Sequence, residues 1–289
     1  MELLQLIDEL LMDAVVNAEI RGGPPTLGAA MRHAVFPGGA RIRPRLCIAV
    51  AMACGETRSA TAEAAATAIE LLHCASLVHD DLPCFDNAPL RRGLPSVHAQ
   101  FGERIAILAG DALIVLAFQM LGRGLVAVPE RLPALLGIVA RAVGMPNGIC
   151  AGQAWESEAQ VRLGEYQCAK TGALFAAATA AGALAAGADY ERWRLLGERL
   201  GEAYQVADDV QDAAGDPALL GKPIGIDQSL GRPSSARELG LRGALERFNH
   251  LVEASVAAIP ECAGRAQLTA LIRAEALRLI PADVQARAA

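Results

Sequence analysis

An all-α fold is predicted for this chain, and three observations carry the prediction. Apolar residues fill 53% of its 289 positions while aromatics fill only 4%. The apolar excess is mostly alanine and leucine, which favour helix, whereas β-branched and aromatic strand formers are sparse. Glycine and proline fall at intervals that leave helical stretches of ordinary length between them.

The elements follow in order. The opening MELLQLIDELLMDAVVNAEI is amphipathic and acidic, with no basic n-region or cleavage signal, so a helix and no export are expected. Breaks at Gly22–Pro25 and Pro37–Pro44 precede a helical stretch from Thr61 to Asp81, in which Ile69, Leu72, Ser76 and Leu77 are spaced for one buried face. Further breaks stand at Pro83–Pro95, Pro129–Pro133 and Gly144–Gly148. Thr171 to Ala188 carries no charge and approaches the length of a membrane span. Alanine and glycine dominate it, so a buried helix packed closely on a neighbour is expected, with no transmembrane segment. After Gly215–Pro233 and Pro260 the chain ends without any linker long or polar enough to divide it. Residues 1–289 are therefore expected to form a single domain.

Composition excludes several functions. A net charge of -6 leaves no basic footprint for nucleic acid. Seven cysteines, at Cys47, Cys54, Cys74, Cys84, Cys150, Cys168 and Cys262, are odd in number and form no CxxC pair. That usage reads as a reduced, cytoplasmic chain with neither a disulfide framework nor a zinc site. Gly215 to Lys222 has the wrong spacing for a phosphate-binding loop and puts Pro223 where serine or threonine must sit. No strand precedes the glycines at 122–124, and no GxSxG nucleophile is present.

Two acidic clusters remain. Asp80 and Asp81 end an apolar helix just before Leu82-Pro83, where proline disfavours α geometry, and Asp86 follows. Carboxylates at a helix C-terminus meet the negative end of the macrodipole, so a bound divalent cation is favoured over a solvated turn. In AYQVADDVQD, a rotation of about 100° per residue puts Asp208 and Asp212 on one face, with Asp209 beside them and Gln205 sharing it. Magnesium suits such hard oxygen ligands, because water and substrate phosphates complete its octahedron. Cations to hold an anion are supplied by Arg41, Arg43 and Arg45 in a glycine- and proline-rich turn, and by Arg91 and Arg92. Arginine forks match phosphate oxygens and stay charged at any working pH.

GGARIRP, LLHCASLVHDDLPCFDN, LRRG, AKTGALF, YQVADDVQD and GKPIGID together resemble the trans-isoprenyl diphosphate synthase family over about residues 25–235. The likeness is greatest to its bacterial geranylgeranyl diphosphate branch, which serves carotenoid and bacteriochlorophyll synthesis. The resemblance implies an isoprenoid-synthase-type helical bundle around a central cavity, usually as a homodimer. It implies a cytoplasmic transferase that condenses isopentenyl diphosphate with allylic diphosphates by magnesium-assisted ionisation. By the same resemblance about three magnesium ions are held by Asp80, Asp86 and Asp208, with Asp81, Asp209, Asp212, Lys170 and Lys222 in the catalytic set. Arg91, Lys170, Thr171, Gln205 and Lys222 match allylic-substrate positions, and Arg43, His73 and Arg92 match isopentenyl diphosphate positions.

In this family a bulky aromatic four or five residues before the first aspartate motif commonly caps product growth. Here those positions are the small Ser76 and Ala75, which favours a twenty-carbon product, with Phe118 a candidate for the next floor. A fifteen-carbon farnesyl diphosphate synthase and a noncatalytic regulatory subunit are the alternatives. A terpene cyclase would lack GGxRxRP. Three departures from the family pattern stand out: Ala40 where lysine is usual, Asn87-Ala88-Pro89 in place of a more acidic run, and Arg232-Pro233-Ser234 in place of a late Lys-Thr/Ser pair. Arg41 and Arg45 are the candidates to compensate for the lost lysine.

Overall fold

The computed structural model describes residues 3–19, 22–36, 38–56, 59–214 and 234–280, and helices account for most of them. The chain runs through α1 (Leu3–Glu19), α2 (Pro25–Val35), α3 (Ile42–Ala53) and α4 (Ala60–Asp80). A short antiparallel hairpin, β1 (Leu90–Arg91) and β2 (Leu94–Pro95), pairs Arg91 with Leu94. It leads to α5 (Val97–Phe101), α6 (Glu103–Gly124), α7 (Leu132–Val143), α8 (Ile149–Ala154) and α9 (Leu163–Gln167). A π-helical turn, Cys168–Gly172, connects α9 to α10 (Ala173–Ala185). The order ends with α11 (Arg194–Ala214), α12 (Ser235–Ala257) and α13 (Arg265–Leu279).

Local chemistry explains where α4 begins and ends. The Ser59 side chain accepts the Ala62 N–H, occupying an orphan donor of the first turn. At the other end Pro83 blocks continuation two residues after Asp81, as expected. The expectation of a single buried face was too modest, because α4 is buried around its whole circumference. Its alanines are the reason: α3, α6 and α10 all close on it, and small side chains leave room for each.

The uncharged stretch behaves as expected. Every residue of α10 from Leu174 to Ala185 is buried. A Cβ built on Gly182 would lie 2.2 Å from the carbonyl oxygen of Cys47 in α3, so only glycine permits this crossing. Two helical stretches, Leu163–Ala185 and Glu103–Gly124, are long and apolar enough to cross a membrane by length and composition. The first is 83% buried in its most apolar window. The second, α6, is not: Ile107, Leu108 and Val115 are 46%, 46% and 58% exposed, an apolar face not anticipated from the sequence. One contiguous core runs from Ile7 to Ile280 and ties α1 to the last helices.

Replacing Gly182 with alanine sets a methyl group against a backbone carbonyl. Overpacking of this kind costs ~1–3 kcal/mol, against a helix-propensity gain of ~1 kcal/mol. Gly182→Ala is expected to lower the urea midpoint of unfolding, and an unchanged or higher midpoint would contradict the close crossing.

Candidate active site

The first acidic cluster is assembled by a loop that curls back under the end of α4. Phe85 and Asn87 donate their N–H groups to the Leu82 carbonyl, and the Asp86 N–H donates to the Asp80 carbonyl at 2.9 Å. Asn87 takes the left-handed conformation, φ 47°, that completes the curl. Asp86 is thereby returned to Asp80. Carboxylate oxygens of Asp80, Asp86 and Glu156 lie within 4.8 Å of one another. Asp81 takes a different part: it is buried and engaged by the Arg91 guanidinium, with Nε at 3.0 and 3.2 Å from its two oxygens. His79 lies against Gly110 of α6, with its ring nitrogen 3.5 Å from the Ile107 carbonyl oxygen.

Glu156 was not anticipated from the sequence. It stands in the single turn Trp155–Ser157 after α8, and α8 reaches the π turn through Gly152, where an added Cβ would sit 2.4 Å from the Lys170 backbone. Tyr166 donates to Glu156 at 2.6 Å, and Lys170 Nζ donates to the same oxygen at 2.5 Å while standing 3.7 Å from Asp80. Gln153 also donates to Asp80, at 3.2 Å. A glutamate in a turn with no neighbouring motif carried no sequence signal; its role depends on a contact across the fold. Burial raises the Asp80 pKa, and the Lys170 charge opposes that rise. A cluster of one buried and two partly buried carboxylates with one bridging lysine is a donor set of hard oxygens that fits magnesium.

The π turn links this cluster to the second one. Lys170 faces Asp80 and Glu156, while Thr171, the next residue, donates to Gln205 Oε1 of α11 at 2.7 Å. Gln205 in turn donates to Asp209 at 3.0 Å. Asp209 is fully buried and accepts from Gln167 at 3.1 Å and from the Ser235 N–H at 2.7 Å, so it anchors the start of α12. Asp208 is half-buried and Asp212 buried on the same helix. Each aspartate pair is therefore divided: Asp81 and Asp209 are tied into the protein by hydrogen bonds. Lys222, Arg232 and Pro233 lie outside the described residues.

A separate cationic cluster stands beside α3 and α4. Arg43 Nη1 is 3.4 Å from His73 Nε2, and the Arg92 guanidinium donates to the Gly38 carbonyl beneath the glycine turn. Burial and the surrounding charges of Arg43 and Arg92 hold the His73 imidazole pKa well below its ordinary value, so the ring is neutral. Among the described residues neither Arg43 nor Arg92 forms an ion pair with a carboxylate. The expected compensation for Ala40 is not seen. Arg41 is committed to Asp8, Glu70 and the Val35 carbonyl at 3.0, 2.8 and 2.8 Å, and Arg45 pairs with Glu275. Both are structural here because carboxylates already claim them. Ala75 is fully buried and Ser76 half-buried, one turn below Asp80 on α4, and Phe118 is partly buried on α6.

Comparison with known proteins places the chain among relatives of one family. A family model described as polyprenyl synthetase matches residues 24–262. The geranylgeranyl diphosphate synthase of Cereibacter sphaeroides is 50% identical over 98% of this chain and 98% of its own length. That of Rhodobacter capsulatus is 45% identical over 99% of both. A crystal structure of a geranyltransferase from Helicobacter pylori, complexed with magnesium and isoprenyl diphosphate, superposes with a TM-score of 0.80 at 26% identity, covering 95% of this chain and 97% of that one. Helical architecture, acidic cluster and sequence relationships converge on one conclusion: the chain belongs to the polyprenyl synthetase family.

Proposed function

We propose that this chain is a trans-prenyltransferase, acting as one domain, that condenses isopentenyl diphosphate with allylic diphosphates to give mainly geranylgeranyl diphosphate. The observation that carries the reading is the separation of two anion-handling clusters. Asp80, Asp86 and Glu156 form a carboxylate set suited to a metal-held diphosphate. Arg43, His73 and Arg92 form a cationic set suited to a diphosphate without metal. A condensation of two diphosphates needs one of each.

In this reading Asp80, Asp86 and Glu156 would hold magnesium for the allylic diphosphate, and Asp208 with Asp212 would form a second magnesium-holding set. Bound magnesium supplies neutralisation of the charge that develops on the leaving group. Lys170, Thr171, Gln205, Arg91 and Lys222 receive the allylic diphosphate oxygens, with Asp81 orienting Arg91 and Asp209 fixing α11 against α12. Arg43, neutral His73 and Arg92 hold isopentenyl diphosphate with its double bond facing the ionising carbon. The C–O bond breaks, the double bond attacks the allylic cation, and the released diphosphate takes the proton. No protein nucleophile is required, and the apolar surroundings of the site would keep water from the cation.

The product tail is assigned to a path beside α4, below Asp80, where Ala75 and Ser76 leave room past fifteen carbons. A homodimer is proposed through the exposed apolar face of α6, and a cytoplasmic location is supported by the seven free cysteines.

The testing experiment supplies purified protein with magnesium, isopentenyl diphosphate and each allylic primer in turn, and sizes the products by chromatography. A twenty-carbon diphosphate is expected to dominate, and Ala75→Phe is expected to move most product to fifteen carbons. A cyclic hydrocarbon, or an unshifted length distribution, would refute the respective claims. Glu156→Gln removes one oxygen charge from the metal set. It should lower kcat by about a hundredfold and raise the magnesium concentration for half-maximal rate, since loss of metal-site partners typically costs ~10–100-fold. Unaltered magnesium dependence would exclude Glu156 from the metal set. Paired Leu108→Glu and Val115→Glu changes are expected to give monomers in light scattering; an intact dimer would place the interface elsewhere.

A further inference from the structure

Arg43 is only 8% exposed, yet among the described residues no carboxylate neutralises it. Its Nε is buried without a hydrogen-bond partner. What it does have is a pair of touching aromatic rings against one side of its guanidinium. Its guanidinium carbon lies 4.5 Å from the ring centroid of Phe175 on α10 and 5.6 Å from that of Tyr204 on α11. The two rings touch each other, with centroids 5.3 Å apart and planes inclined at 42°.

This arrangement has a chemical logic. A carboxylate partner would hold Arg43 firmly but would occupy the N–H donors that an incoming diphosphate needs. An aromatic face attracts the cation through its quadrupole and leaves those donors vacant, because the guanidinium N–H groups lie in its plane and not above it. The rings also pre-set the side chain, so that fewer rotamers are lost when the anion binds. We propose that Phe175 and Tyr204 are positioning residues that clamp Arg43 for the metal-free diphosphate, and that the clamp sustains this site with alanine at position 40. The proposal rests on the assignment of Arg43 to isopentenyl diphosphate made above.

The two rings also stand close in sequence to residues of the first site. Phe175 stands one helical turn after Thr171, and Tyr204 one turn before Asp208 and adjacent to Gln205. The residues that aim Arg43 thus ride on the same two helices as the proposed allylic-diphosphate ligands, and the Thr171–Gln205 hydrogen bond fixes those helices against each other. Arg41, in contrast, has an aromatic neighbour in Phe36 at 5.8 Å but is saturated by Asp8 and Glu70. Of these two buried arginines, Arg43 is the one left with donors to offer.

The test measures isopentenyl diphosphate binding by calorimetry without magnesium, and steady-state kinetics with each substrate varied against the other at saturation. Tyr204→Leu removes the ring and should weaken isopentenyl diphosphate binding and raise its KM by about tenfold. The KM for the allylic substrate should stay within about twofold. Tyr204→Phe keeps the ring face and should recover the isopentenyl diphosphate affinity, and Ala40→Lys added to Tyr204→Leu should recover part of it by restoring a cation. Phe175→Leu should repeat the pattern, and it serves in place of Tyr204→Leu if that protein does not fold. Leucine variants that bind isopentenyl diphosphate as tightly as the parent, or that raise both KM values alike, would overturn the clamp. If the parent neither binds nor consumes isopentenyl diphosphate, the proposed function itself fails, which is a distinct outcome.

Discussion

The site is organised around the ammonium group of Lys170. Three carboxylates gathered at the end of α4, one buried and two partly buried, repel one another, and the Lys170 charge beside Asp80 and Glu156 offsets part of that repulsion. Its position depends on the π turn at Cys168–Gly172. The extra residue in that turn lets successive side chains point to different clusters, Lys170 to the first and Thr171 to α11. Without the local widening a regular helix would still offer one residue to one cluster, but the adjacent pair would be rotated out of register.

In each aspartate pair the second member is tied to the fold. Asp81 is spent on Arg91 and Asp209 on Gln205, Gln167 and Ser235, so neither carboxylate is dispensable even with no metal present. Replacing the second member of a pair therefore disturbs the orientation of an arginine or of the start of α12. Cationic residues differ in this respect. Arg41 and Arg45 are consumed by carboxylates, while Arg43 and Arg92 retain donors.

Much of the architecture was readable from local patterns. The helix ending at Asp80 and the buried alanine-rich α10 follow from proline placement and composition, whereas the pairing of Asp86 with Asp80 was implied only by the family resemblance. What escaped reading depends on contacts between distant segments. Glu156 enters the site only because Gly152 lets α8 approach the π turn, and nothing near residue 156 announces that. Arg41 looked available because its partners Asp8 and Glu70 are 33 and 29 positions away. The completeness of α4 burial was underestimated because alanine gives a weak periodic signal, and the apolar face of α6 was missed because its helix reads as ordinary core.

The glycine and alanine surface along α10 has a bearing on charge placement as well as on packing. Phe175 on α10 and Arg43 on α3 sit at the upper end of the same crossing that Gly182 narrows at its lower end. The height at which the Phe175 ring meets the Arg43 guanidinium is therefore set by a backbone contact where no side chain fits. A larger residue at Gly182 would tilt one rod against the other and shift ring and cation relative to each other, so a packing choice at one end of the crossing governs the posture of a charged group at the other.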